Sequence, residues 1–164
     1  MLALILAPLL LFACTETRDE PSAAAPRVME AVSIPAAQRA HVVIPPEVKG
    51  QWQAVRILVV DRETDQKTLH TVDIGEEFCP EGTSLGVRVL AFLPDFIMHG
   101  LTMTSSSNQL NNPGVQIRIR DADEELFVGW LFSLYPEAHA YYHPRYGFAL
   151  VDFIPAAADE HPEK

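Results

Sequence analysis

Cysteine is nearly missing from this chain: there are 2 in 164 residues. So few thiols exclude a disulfide-dense scaffold and any four-cysteine zinc or iron–sulfur site. Positive charge is also scarce, with 12 Lys and Arg against 22 Asp and Glu and a net charge of -10. A chain this acidic lacks the basic face that phosphate backbones require, so nucleic acid is excluded as the main partner. No apolar run reaches the roughly 20 residues needed to span a bilayer as a helix. There is no Gly-x-Ser-x-Gly, no phosphate-cradling glycine-rich loop, no His-Glu-x-x-His and no Cys-x-x-Cys-His. The expectation is a protein that binds rather than catalyses, with no cofactor.

What is present begins at the amino terminus. Residues 1–13 carry no charged side chain, and Leu2, Leu4, Ile5, Leu6 and Leu9 through Phe12 form an apolar run. Its length is that of the hydrophobic region of a signal peptide. Leu11-Phe12-Ala13-Cys14 resembles a bacterial lipobox, in which a small residue precedes the cysteine to be acylated. No Lys or Arg precedes the run, which departs from the usual pattern. Each buried acyl methylene contributes about 0.8 kcal/mol, so two or three chains on Cys14 would anchor the protein firmly. Thr15, rather than Asp, follows the cysteine. By the sorting rule of enteric bacteria that favours the outer membrane, where there is one. The expected location is the cell envelope, facing the periplasm.

Residues 14–46 read as a lipidated cysteine and a flexible tether. Pro21, Pro26, Pro35, Pro45 and Pro46 interrupt alanine-rich stretches, a composition that favours a semi-extended spacer. Residues 47–155 read as an all-β domain of about seven short, mostly antiparallel strands, a sandwich or small barrel. Trp52 to Val60 and Thr68 to Ile74 pair across a polar turn. Leu85, Val87, Val89, Ala91 and Leu93 alternate over one strand. Phe96 to Met103 is a fourth, with Gly100 as a bulge. Val115, Ile117 and Ile119 face inward while Gln116, Arg118 and Arg120 face outward. Leu126 to Leu134 is apolar on both faces and reads as a central strand, and Tyr146 to Phe153 closes the set. Pro136 to Tyr142 has room for a helical turn or two. Residues 156–164 read as a disordered tail.

Three stretches carry a family resemblance. They are Val48-Lys49-Gly50-Gln51-Trp52; Phe92-Leu93-Pro94-Asp95-Phe96 with Ser107-Asn108 and Asn112-Pro113; and Gly129-Trp130-Leu131-Phe132-Ser133-Leu134-Tyr135-Pro136-Glu137 leading to His143-Pro144-Arg145-Tyr146-Gly147. Together they resemble the domain of unknown function 2155 family of bacterial envelope proteins. The likeness spans residues 48 to 155 and implies export, but no activity, substrate or catalytic residue. A second likeness, through Phe92–Phe96, Asn111–Pro113 and Gly129–Phe132, is to the periplasmic part of ResB-type cytochrome c biogenesis proteins. It implies an accessory factor in cytochrome c maturation, handling haem or thiols.

On the strength of the resemblance, partner binding is assigned to one end of the fold. Its residues are Asn108, Asn112, Pro113, Trp130, Tyr135, Pro136, His143, Pro144 and Tyr146, and its partner another envelope protein. The alternative reading of Trp130, Phe132 and Phe148 is core packing, and one of Tyr141 and Tyr142 is expected at the surface. His139 and His143, spaced i and i+4, could hold a metal on a helix, although Pro136 and Pro144 leave little helix to carry them. Cys79 is expected as a buried, inert thiol, or else as the redox residue of the cytochrome c reading. A metal-binding protein or an enzyme of another type is a further alternative.

The lipid reading makes a direct prediction. The wild-type chain should partition into detergent with a mass equal to residues 14–164 plus acyl chains. Cys14→Ser should move it to the aqueous phase, and intact mass spectrometry checks both.

Overall fold

The computed structural model describes residues 40–138 and 141–157. The described part is all-β, with ten strands in three mostly antiparallel sheets and no helix among the described residues. The strands are β1 (His41–Val42), β2 (Trp52–Asp61), β3 (Lys67–Asp73), β4 (Glu77–Phe78) and β5 (Leu85–Leu93), then β6 (Phe96–His99), β7 (Thr102–Ser105), β8 (Gly114–Asp121), β9 (Glu124–Phe132) and β10 (Tyr146–Pro155).

Two sheets face each other. One has the order β10-β2-β3 and the other β4-β5-β8-β9. Alternation with period two decides what lies between them. Val55, Ile57 and Val59 of β2 point inward, with Tyr146, Phe148 and Leu150 of β10 beside them. Val87 and Val89 of β5 and Val115, Ile117 and Ile119 of β8 meet them from the other sheet, each fully enclosed. The expected inward and outward sets on β8 are thus observed. Outward, Arg120 pairs with Glu77 at 2.8 Å, and Arg118 Nε lies 2.9 Å from Glu125, an ion pair without hydrogen-bond geometry. On one flank, Gly75 and Val89 join the β3–β4 connection to β5 through backbone hydrogen bonds of 2.9 Å. On the other, β9 lies beside β10, and Tyr141 packs between Phe127 and Phe148. The result is a sandwich, not a closed barrel.

Of four register irregularities in these two sheets, two decide which aromatic side chains enter the core. In β5 the register shifts between Val89 and Ala91, and in β10 between Leu150 and Asp152. Each extra residue inverts the phase of the strand beyond it. Phe92 and Phe153 therefore turn inward, stacked at 5.2 Å with Trp52 edge-on to both. The uninterrupted alternation expected from Leu85 to Leu93 is corrected accordingly. Beyond the bulge Ala91 and Leu93 lie on the outer face, yet they are buried there.

They are buried because the third sheet, of order β1-β7-β6, covers that half of the outer face. Phe96 of β6 packs edge-on against Trp130 and Phe132 at 4.8 and 5.0 Å. Trp130 Nε1–H points at the sulfur of Met103 on β7, 3.1 Å away. This corrects the reading of residues 126–134. β9 is apolar on both faces yet forms the edge of its sheet, because its outer face is roofed by the small third sheet. The segment expected as one strand from Phe96 to Met103 is instead a hairpin. Gly100, with φ of 59°, sits in its two-residue loop rather than in a bulge. The third sheet also takes in residues placed in the tether, since His41 and Val42 pair in parallel with Thr102 and Met103. The helical turns considered between Pro136 and Tyr142 are, in the described part, a single turn at Pro136–Glu137.

Side chains sealed between the sheets should dominate stability. Ile117→Ala should cost about 2–5 kcal/mol. Val128→Ala, at a position 41% exposed on β9, should cost less than about 1 kcal/mol. Urea unfolding of the two variants measures the difference.

Candidate functional site

The loop from Ser105 to Pro113 is built around one carboxylate. Asp95 lies just past β5, after Pro94, and is only 9% exposed. Its Oδ2 accepts hydrogen bonds from Ser106 Oγ at 2.6 Å, Ser107 Oγ at 2.8 Å and Asn111 Nδ2 at 3.2 Å. Its backbone N–H donates to Ser105 Oγ at 2.9 Å. The Ser106 hydroxyl first, then Ser107 and Asn111, hold the Asp95 carboxyl below its usual range against the opposing effect of burial. Asn112 donates to the carbonyl of Phe96 at 2.9 Å, and Asn108 accepts from the indole of Trp52 at 2.7 Å. Asn108 Oδ1 and the Asn112 amide N–H thus hold this loop, Asn112 Oδ1 is enclosed without a partner, and Pro113 is buried.

A second cluster clamps the arrival of β10. Arg145 grips Asp61 through Nε and Nη2 at 2.7 to 3.1 Å, and reaches Glu63 at 3.1 Å. The hydrogen bond from Arg145 is the main cause that lowers the Asp61 carboxyl to about 2. Arg62 donates to the carbonyls of His143 and Tyr146, and its guanidinium lies 5.3 Å from the Tyr142 ring centroid. His143 Nδ1 accepts the backbone N–H groups of Arg145 and Tyr146 at 3.1 and 3.0 Å. That assigns the ring proton to Nε2 in the neutral form. No helix underlies His143, and its partner in the metal reading, His139, lies outside the described residues.

These two clusters are not neighbours. Asn108 meets Trp52 at the start of β2, whereas His143 to Tyr146 meet Asp61 and Arg62 at its end. Nine residue steps along a strand separate them by about 30 Å. The residues assigned to one end of the fold are therefore divided between opposite ends. Tyr146 is buried in the core, while Tyr135, Pro136 and Pro144 are exposed. Of the aromatic pair, Tyr142 is the exposed one, at 76%. Phe148 is core as expected, and Trp130 and Phe132 are half-buried on the outer face. Cys79 is exposed, which overturns the buried reading, because β4 ends at Phe78 and the chain leaves the sheet there. Cys14 lies outside the described residues.

A feature the sequence did not announce is an apolar groove of about 360 Å³ between β6 and β9. Phe96, Met98, Val128, Trp130, Phe132 and Ala138 line it. Met98 is 55% exposed. β9 carries no charged residue from Leu126 to Phe132 and no second strand covers its free edge among the described residues. The bulge at Leu126 and the charges of Glu124 and Glu125 guard only the start of this edge, and the stretch from Phe127 to Phe132 carries neither. The signal was available in the alternation of Leu126, Val128, Trp130 and Phe132, but only with β9 placed at an edge does it become a surface. No helix among the described residues is long and apolar enough to cross a membrane, and no cluster of three or more metal-ligating side chains occurs among them. No family model, curated protein or solved structure matches the chain.

The two carboxylates set an acid response. Asp61 and Asp95 both have folded values below the unfolded one, so they stabilise the fold above the unfolded value near 3.8. That contribution is lost as the pH falls toward the folded value, about 2 for Asp61. Stability should therefore drop between about pH 4 and pH 2. Asp61→Asn should be less stable at neutral pH and should show a shallower drop, as urea unfolding across pH would measure.

Proposed function

We propose that this chain is a lipid-anchored protein of the bacterial cell envelope, facing the periplasm, whose β sandwich is a binding module for another envelope protein. Cys14 is the anchor, and the Pro- and Ala-rich stretch after it is the spacer that carries the domain away from the membrane. The resemblance to exported proteins of the domain of unknown function 2155 family supports the location. The observation that carries the binding role is the groove along β9. An extended segment with an apolar side could hydrogen-bond to the free edge of β9 and set its side chains against Met98, Val128 and Trp130. The exposed thiol of Cys79 favours a second reading, an accessory factor in cytochrome c maturation that handles haem or thiols.

Site-specific photocrosslinking in the native envelope distinguishes them. A crosslinker at Met98 or Val128 should yield one discrete adduct. The same probe at Leu69, 53% exposed on the outer face of β3, should yield none. Equal adducts from all three positions, or none from any, would remove the groove reading. A haem absorbance that accompanies the purified protein, and is lost in Cys79→Ser, would move the assignment to cytochrome c maturation.

A further inference from the structure

The two facing sheets do not close over each other everywhere. At the Tyr146 end they part around a cavity of about 280 Å³. Its inner wall belongs to β3. Register pairs Ile57 with His70 and Val59 with Thr68, so His70 and Thr68 occupy core-facing positions of a sheet whose other inward residues are apolar. The loop Pro80–Gly82, from the opposite sheet, forms the facing wall, and Asp61, Thr64 and Arg145 lie at the rim.

Polar residues on a core face weaken the sandwich unless something pairs with them. His70 is stacked on Phe78 at 4.5 Å, so its ring is held in place. Its Nε2 is nevertheless enclosed without a hydrogen-bond partner. Among the described residues four enclosed side-chain polar atoms lack a hydrogen-bond partner, and His70 is the one of those residues that lines this cavity.

We propose that this cavity binds a hydroxyl-rich ligand, not an anion, the size of a single sugar ring. The size follows from the volume, which lies just below the range of pockets for larger small molecules. An anion is disfavoured by the rim. Arg145 is already taken up by Asp61 and Glu63, so no free cation awaits an anion. Asp61 is likewise satisfied by Arg145 and by the backbone N–H of Glu63, so it does not call for a cationic ligand. What remains for a ligand is the imidazole of His70, the hydroxyls of Thr64 and Thr68, the Gln66 amide and the Glu81 carboxylate, which accepts from hydroxyl groups. Imidazole and hydroxyl groups can each donate or accept, which is the bonding capacity of a sugar hydroxyl. This assignment is separate from the β9 groove and stands or falls without it.

The test is titration of the full chain in detergent with D-glucose and N-acetyl-D-glucosamine, followed by NMR of the His70 ring and the Thr68 methyl group. Acetate and ethylamine serve as anionic and cationic controls. At least one sugar should shift both signals saturably, and the controls should not. His70→Leu should abolish binding while leaving thermal stability equal or higher, since it removes an unpaired buried nitrogen. Thr68→Val, a smaller change, should weaken binding at least fivefold. No saturable shift with either sugar would overturn the proposal, as would an equal response to acetate or ethylamine. A loss of stability in His70→Leu together with unchanged sugar binding in Thr68→Val would assign both residues to the scaffold instead.

Discussion

Two inserted residues, Leu90 in β5 and Val151 in β10, set the phase on which much of this fold depends. A strand that alternates without interruption would send Phe92 and Phe153 to the outside. The bulges turn both inward at the same level of the sandwich, where they stack on each other and against Trp52. The same shift sends Leu93 outward, and a side chain that is wholly buried there needs a roof. The hairpin of β6 and β7 provides it, and Asp95, at the corner between β5 and that hairpin, gathers the serines and asparagine of the next loop.

The outer face of the four-stranded sheet is divided as a consequence. Toward the β8–β9 turn it is polar, with Arg118 and Arg120 paired to Glu125 and Glu77. Toward the other end it is apolar and covered by Phe96 and Met103. The groove lies where cover gives way to open surface, at Val128 and Met98. An apolar strip left open at a sheet edge has a physical use in strand addition by a partner, since main-chain bonds supply affinity and side-chain pockets supply selectivity.

Much of the architecture was legible in the residues. Val115, Ile117 and Ile119 against Gln116, Arg118 and Arg120 signal a half-buried strand because backbone geometry alone imposes a period of two. Trp52 to Val60 and Thr68 to Ile74 are readable for the same reason. The segment 126–134 does not reveal its place, because a strand apolar on both faces has two explanations, a central position or a roofed edge, and periodicity does not separate them. The candidate site was less legible. Asn108, Asn112 and His143 have the residue types of a binding loop, but those types also satisfy backbone groups in turns. Here they bond to Trp52, to Phe96 and to the amides of Arg145 and Tyr146.

By itself, the sequence determined the β character of the domain, the strands whose pattern is strictly alternating, and the acidic, cysteine-poor composition that excludes several functional classes. These properties are local, set by backbone period and by side-chain chemistry. Tertiary structure alone decided which strand stands at an edge, where a bulge inverts the phase, and that the two loop clusters lie at opposite ends of β2. It also put His70 and Thr68 on a core face beside a cavity. Each of these depends on pairing between residues far apart in the chain, and register across strands is not encoded in any one segment.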